Sequence, residues 1–104
     1  MREINQKELE DLIKNDLNTT KDTAFVVDFY ASWCGPCKTL AATLEKVAEE
    51  NPNVYKLNVE ENDEAVVAFG IRAMPTLIYF KNGSQIAKTT GIKTKEEILA
   101  NLAL

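Results

Sequence analysis

Residues 25–38 read FVVDFYASWCGPCK. Phe25 to Tyr30 is apolar apart from Asp28, the composition of a central strand covered on both faces. Ala31-Ser32-Trp33 makes a short turn, and Cys34 and Cys37 then open a helix. A C-x-x-C pair at a strand-to-helix junction places two thiols where a helix terminus acts on them most strongly.

The spacing suits a reversible disulfide. Side chains three apart on a helix have Cβ atoms about 5–6 Å apart, and disulfides join Cα atoms roughly 4.4–6.8 Å apart. A ring this small stabilises little: loop entropy gives about 2 kcal/mol for four residues, against about 3 for fifteen. A working redox pair is therefore a better reading than a structural staple. Cys34 also falls where the first N–H groups of a helix lack intrahelical acceptors. Those donors and the helix dipole favour a thiolate by about 0.3–1 kcal/mol, or about 2 in a sheltered geometry.

Working outward, residues 5–17 read as a helix. Asn5 caps it, Glu8 completes a capping box, and Ile4 staples to Leu9. Leu9, Leu12, Ile13 and Leu17 recur on one face at helical spacing. Residues before Asn5 add a short edge strand, and Asn18 to Thr23 is a polar connection. Ala24 to Tyr30 is the central strand. The helix from Cys34 to about Glu50 buries Cys37, Leu40, Ala41, Leu44, Val47 and Ala48 and ends at Asn51-Pro52. Asn53 to Val59 is the next strand, parallel to the first by a right-handed crossover. A short helix over Asp63 to Phe69 stops at Gly70. Thr76 to Phe80 and Gln85 to Thr89 flank Asn82-Gly83, the signature of a type I′ hairpin. A last helix starts near Thr94, with Glu97 as a second capping box and Ile98, Leu99 and Leu102 as its apolar face.

Strand, helix, strand and then a hairpin specify an α/β fold: a three-layer sandwich whose mixed central sheet is flanked by four helices. The sheet has a parallel βαβ part and a C-terminal antiparallel hairpin. With 104 residues and no linker or repeat, the chain is expected to form one domain over residues 1–104. Composition narrows the function. The net charge of −4 argues against a nucleic-acid binder, which needs a basic face. It also disfavours anionic lipid. No run approaches the roughly 18–20 apolar residues of a membrane span, and MREINQKELE lacks the apolar core of a secretory signal. A cytoplasmic location is expected, where a lone dithiol is more often catalytic than structural. The chain contains no histidine, which removes Cys–His nucleophile pairs and histidine metal sites. Two cysteines alone cannot complete a four-ligand zinc site, so neither metal nor cofactor is expected.

Asp28 stands out in an apolar strand. A carboxylate in a dry interior is costly and tends to keep its proton; the competing reading is a carboxylate reaching water at the strand end.

The motif WCGPCK preceded by VDF resembles the active-site signature of the thioredoxin family. The likeness covers essentially the whole chain: Asp28, Lys56, Met74-Pro75, Lys81-Asn82-Gly83 and Gly91 all fall where that family leads one to expect them. The resemblance implies the thioredoxin fold and a protein-disulfide reductase working by dithiol–disulfide exchange, with Cys34 as nucleophile and Cys37 as resolving thiol. Thioredoxin is itself the reference case for a C-x-x-C thiol titrating near 7, against about 8.5 for a free thiol. That lowering takes about 2 kcal/mol. The resemblance further implies a general acid–base role for Asp28 beneath Cys37, and a cis Met74–Pro75 bond that exposes the Met74 backbone to an extended substrate segment. Lys56 is carried as a tuning residue; a solvated lysine on a strand is the plain alternative. Gly35 and Pro36 tune the pair toward reduction. Trp33, Met74, Pro75, Gly91 and Ile92 form an apolar docking face; ordinary core packing is the lesser alternative for Trp33.

The implied partners are disulfide-containing proteins and a flavin-dependent thioredoxin reductase that recharges a monomeric carrier. Two positions depart from the pattern. Ala42 replaces a proline common in the family, which predicts a straighter active-site helix, and Tyr30 replaces a tryptophan. The alternative readings are a redox-independent thioredoxin-fold assembly subunit, and a metal or cluster carrier that uses two chains to supply four thiolates.

Overall fold

The computed structural model describes residues 1–17 and 23–104; the connection read for Asn18 to Thr23 lies outside them up to residue 22. Among the described residues, the strands are β1 (Arg2–Glu3), β2 (Ala24–Tyr30), β3 (Val54–Asn58), β4 (Thr76–Lys81) and β5 (Ser84–Thr90). The helices are α1 (Gln6–Leu17), α2 (Gly35–Glu50), α3 (Asp63–Ala68) and α4 (Lys95–Leu102), with a 3-10 turn at Val59–Glu61. The strands form one sheet in the order β1-β3-β2-β4-β5. β1 and β2 run parallel to β3, while β4 pairs antiparallel with β2 and β5.

β2 is central because both of its faces are apolar. Phe25, Val27 and Phe29 belong to the core that takes Leu9 of α1 and Ala65 of α3. Ala24 and Val26 belong to the opposite core, with Leu40, Leu44 and Val47 of α2 and Ile98 and Leu102 of α4. This two-sided burial follows from the alternation of side chains along a strand. Phe29 is fully buried and lies 5.8 Å from the Phe69 ring; Phe25 stacks on Phe80 at 5.1 Å.

Local signals end the elements where the sequence places them. The Glu8 N–H donates to Asn5 Oδ1 at 2.8 Å, and the Asn5 N–H donates to Glu8 Oε1 at 3.0 Å, a closed capping box. Ile4 and Leu9 share one core, as the staple requires. Thr94 caps α4 by accepting the Glu97 N–H at 3.1 Å. Asn82 and Gly83 have φ of 53° and 77°, the positive pair of a type I′ turn. α2 runs without interruption through Ala42.

One expectation is corrected. Leu17 is not part of the buried face of α1: it is 66% exposed. The last turn of α1 lies against the hairpin, where the Gly83 N–H donates to Asp16 Oδ2 at 2.7 Å. A Cβ at Gly83 would stand 2.7 Å from the Leu17 Cβ. The hairpin backbone therefore approaches Leu17 from the side, and the glycine serves this contact as well as the turn.

Candidate active site

The end of β2 and the start of α2 build the site. β2 delivers Asp28 and Tyr30, the turn carries Ser32 and Trp33, and Cys34 is the N-cap of α2. Pro36 sits in the first turn, where its missing N–H costs nothing and its fixed φ suits a helix. As N-cap, Cys34 accepts the Cys37 N–H on its sulfur at 3.2 Å. This is one of the donors that a helix start leaves without an internal acceptor, and it favours negative charge on that sulfur. Cys34 and Cys37 are joined as a disulfide with Cα atoms 5.2 Å apart, inside the range expected from their spacing.

The two sulfurs face different surroundings. The Met74 carbonyl oxygen lies 3.6 Å from Cys34 Sγ, and the Met74–Pro75 bond is cis. Trp33 and Ile92 are 69% and 51% exposed, so Trp33 is not core packing. Gly35 and Pro36 are exposed, Met74 and Gly91 half-buried, and Pro75 buried. Gly91 has φ of +86° and its N–H donates to the Pro75 carbonyl at 2.9 Å, which fixes its loop beside the cis bond. A Cβ there would meet nothing within 4 Å among the described residues. The glycine thus serves the left-handed backbone and leaves open space in front of the loop.

Cys37 faces inward. It lines a cavity of about 210 Å³ together with Asp28, Tyr30, Ala31, Lys38 and Lys56. Asp28 is only 1% exposed, so it does not reach water as a strand-end carboxylate. Its Oδ1 has no hydrogen-bond partner among the described residues. Burial pushes its carboxyl up to about 7, against an opposing pull from Lys56. An acid with that proton affinity exchanges its proton near neutral pH. The cavity that both residues line is also large enough to hold water. Lys56 is the register partner of Asp28 across β3 and β2, which places the two on one face of the sheet.

Three supports were not visible in the sequence reading. The Ser32 N–H and hydroxyl both donate to Glu60 Oε1, at 2.8 and 2.7 Å, tying the active-site turn to the 3-10 turn. These bonds hold the Glu60 carboxyl below its usual range. The Thr76 hydroxyl donates to the Ala73 carbonyl at 2.6 Å and steadies the loop that presents Met74. The Tyr30 hydroxyl donates to Glu3 Oε1 at 2.9 Å. The Ser32–Glu60 and Tyr30–Glu3 pairings join segments 28 and 27 positions apart, which local patterns leave open, whereas Thr76 and Ala73 are three apart; the tryptophan-to-tyrosine departure was the one signal for the Tyr30 pairing.

Two sulfurs held within bonding reach, one of them on a free amide at a helix start, pass electron pairs by exchanging disulfides. A protein built this way is a thiol–disulfide oxidoreductase. Comparison with known proteins narrows the class. The Thioredoxin family profile matches residues 1–103. The thioredoxin of Alicyclobacillus acidocaldarius is 46% identical over 85 residues, covering 79% of this chain and 81% of that protein. Thioredoxin-1 of Saccharomyces cerevisiae is 44% identical over 91 residues, covering 83% and 88%. The structure of Fasciola hepatica thioredoxin superposes with a TM-score of 0.84 at 32% identity, over 99% of this chain and 97% of that one. The chain belongs to the thioredoxin family.

Proposed function

We propose that this chain reduces protein disulfides, with Cys34 as nucleophile, Cys37 as resolving thiol and Asp28 as the acid–base group of the second step. The carrying observation is the division of surroundings: Cys34 caps α2 beside the Met74 carbonyl, whereas Cys37 shares its cavity with buried Asp28. The Cys34 thiolate attacks one sulfur of a substrate disulfide. A mixed disulfide forms, and the first substrate sulfur leaves as a thiolate. Asp28, directly or through water, takes the proton from Cys37, whose thiolate attacks Cys34 Sγ. That step closes the Cys34–Cys37 disulfide and expels the second substrate thiolate, which takes up a proton. Two electrons have then passed from this chain to the substrate.

An extended substrate segment lies across Trp33, Met74, Pro75, Gly91 and Ile92, its backbone facing that of Met74. Gly35 and Pro36 keep the pair free of a cationic neighbour between the sulfurs, and Lys56 tunes Asp28. No bound cofactor or metal enters the cycle; the disulfide itself is the redox group. A thioredoxin reductase returns the two electrons. The chain acts as a monomeric single-domain carrier in the cytoplasm, and its net charge of −4 disfavours nucleic acid and anionic lipid as partners. Among the described residues, no helix is long and apolar enough to cross a membrane.

The test is reduction of insulin disulfides with a dithiol donor, followed by trapping. Cys37→Ser is expected to accumulate mixed disulfides on Cys34, and Cys34→Ser to accumulate none. Asp28→Asn is expected to slow release of the mixed disulfide by about 100-fold, the low end of general base contributions, with first attack nearly unchanged. Equal trapping by the two serine variants would reverse the roles given to the sulfurs.

A further inference from the structure

Beyond the cavity that Asp28, Tyr30 and Lys56 line, the edge strand β1 carries a carboxylate, Glu3, that the exchange chemistry leaves unassigned. Pairing of β1 with β3 sets Glu3 opposite Lys56, and pairing of β2 with β3 sets Asp28 opposite the same lysine. Register partners on adjacent strands share a face. Three strands therefore carry a row of carboxyl, ammonium and carboxyl: Glu3, Lys56, Asp28. Tyr30, two residues beyond Asp28 on the same face, reaches over the row to donate its hydroxyl to Glu3 Oε1 at 2.9 Å. The Lys56 ammonium stands at that bridge, 4.0 Å from the same Glu3 oxygen and 5.7 Å from the centre of the Tyr30 ring.

We propose that Glu3 and Tyr30 are positioning residues for Asp28: they hold the Lys56 ammonium toward the sheet edge and so limit how strongly it draws the proton off Asp28. The inference rests on the acid–base role given to Asp28 above. The physical reason is that one ammonium stands between two carboxyl groups. Attraction falls with distance, so each share of the lysine held by Glu3 is lost to Asp28. The tyrosine bridge fixes the competing carboxylate in place, and burial together with the Glu3 bond pushes the Tyr30 hydroxyl up to about 12, keeping it a donor throughout the working range.

The other groups facing Asp28 do not duplicate this role. α2 contributes Cys37 and Lys38 to the cavity wall, β4 sets apolar Leu77 opposite Asp28, and Glu61 of the 3-10 turn acts on Tyr30. Without the tether, Lys56 would lean toward Asp28, the acid would hold its proton less tightly, and the second exchange step would move to lower pH. Glu3 is exposed and Lys56 half-buried, so solvent screening keeps the effect modest.

The test is a carboxyl carbon NMR titration of Asp28 in the disulfide form, where neither sulfur titrates. Glu3→Gln is expected to lower the Asp28 midpoint by roughly half a pH unit, about threefold in proton concentration. Tyr30→Phe, which keeps the ring and deletes the bridge, moves it the same way by less. Lys56→Met raises it, and in that background Glu3→Gln moves it less than half as far. An unmoved midpoint in Glu3→Gln overturns the proposal, as does an equal shift in both backgrounds, which would mean a direct field without the lysine. If Asp28 titrates like an ordinary carboxylate, or Asp28→Asn leaves mixed-disulfide release unchanged, the acid–base reading fails. A midpoint that follows Lys56 but ignores Glu3 removes only the positioning role.

Discussion

The two faces of β2 divide its seven residues between different tasks. The face bearing Phe25, Val27 and Phe29 is apolar from end to end and sealed beneath α1 and α3. The other face begins the same way with Ala24 and Val26 under α2 and α4, then turns polar at Asp28, behind Cys37. One face contributes stability along its whole length. The other gives up part of that stability at one end, because a carboxyl group whose Oδ1 has no partner among the described residues is held in a place that opposes its charge. The lesson concerns location: the cost is confined to a single residue, and the surrounding core is complete enough to bear it.

The contrast can be broken in three ways. Phe29→Ala carries the largest effect. It is expected to cost about 3–5 kcal/mol in denaturant unfolding, and the remaining folded protein should still reduce insulin disulfides at nearly the native rate. A marked loss of activity in the folded fraction would mean the sealed face also shapes the site.

Asp28→Asn comes next and is read through pH. The folded-state proton affinity of Asp28 is raised, so its ionisation destabilises the fold as pH rises from about 4 toward 7. Below about 4 the group is protonated in both folded and unfolded chains, and nothing is lost. Measured in the disulfide form, the variant should therefore gain about 2–4 kcal/mol on the native chain between pH 4 and pH 8. A difference that stays constant with pH would show that the carboxyl group is not held against its charge.

Val26→Ala is the smallest. On the same face but inside the apolar part, it should cost about 2 kcal/mol, equally at pH 4 and pH 8. A pH-dependent cost there would spread the polar character of this face beyond Asp28.

Much of this was legible before any coordinates. The Asn5–Glu8 box, the Thr94 cap, the Asn82-Gly83 turn and the Cys34–Cys37 spacing all depend on groups within a few residues of each other. Covalent geometry and the helix and strand repeats place such groups together wherever the chain goes. The apolar face of α1 was over-read at Leu17 because helical periodicity says which side a residue faces, not whether a neighbour extends far enough to cover it. The supports of the site were missed for a related reason. Ser32 and Glu60 are 28 positions apart, and Tyr30 and Glu3 are 27 apart.

What the sequence alone determined is the order of elements, their ends, the dithiol at a helix start and the presence of one acid in an apolar strand. The tertiary structure decided what that acid is. Its proton affinity depends on how much water the closed sandwich removes and on which strand brings Lys56, and with it Glu3, to its side. Desolvation and cross-strand charge are set by packing between distant segments, and no local pattern encodes them.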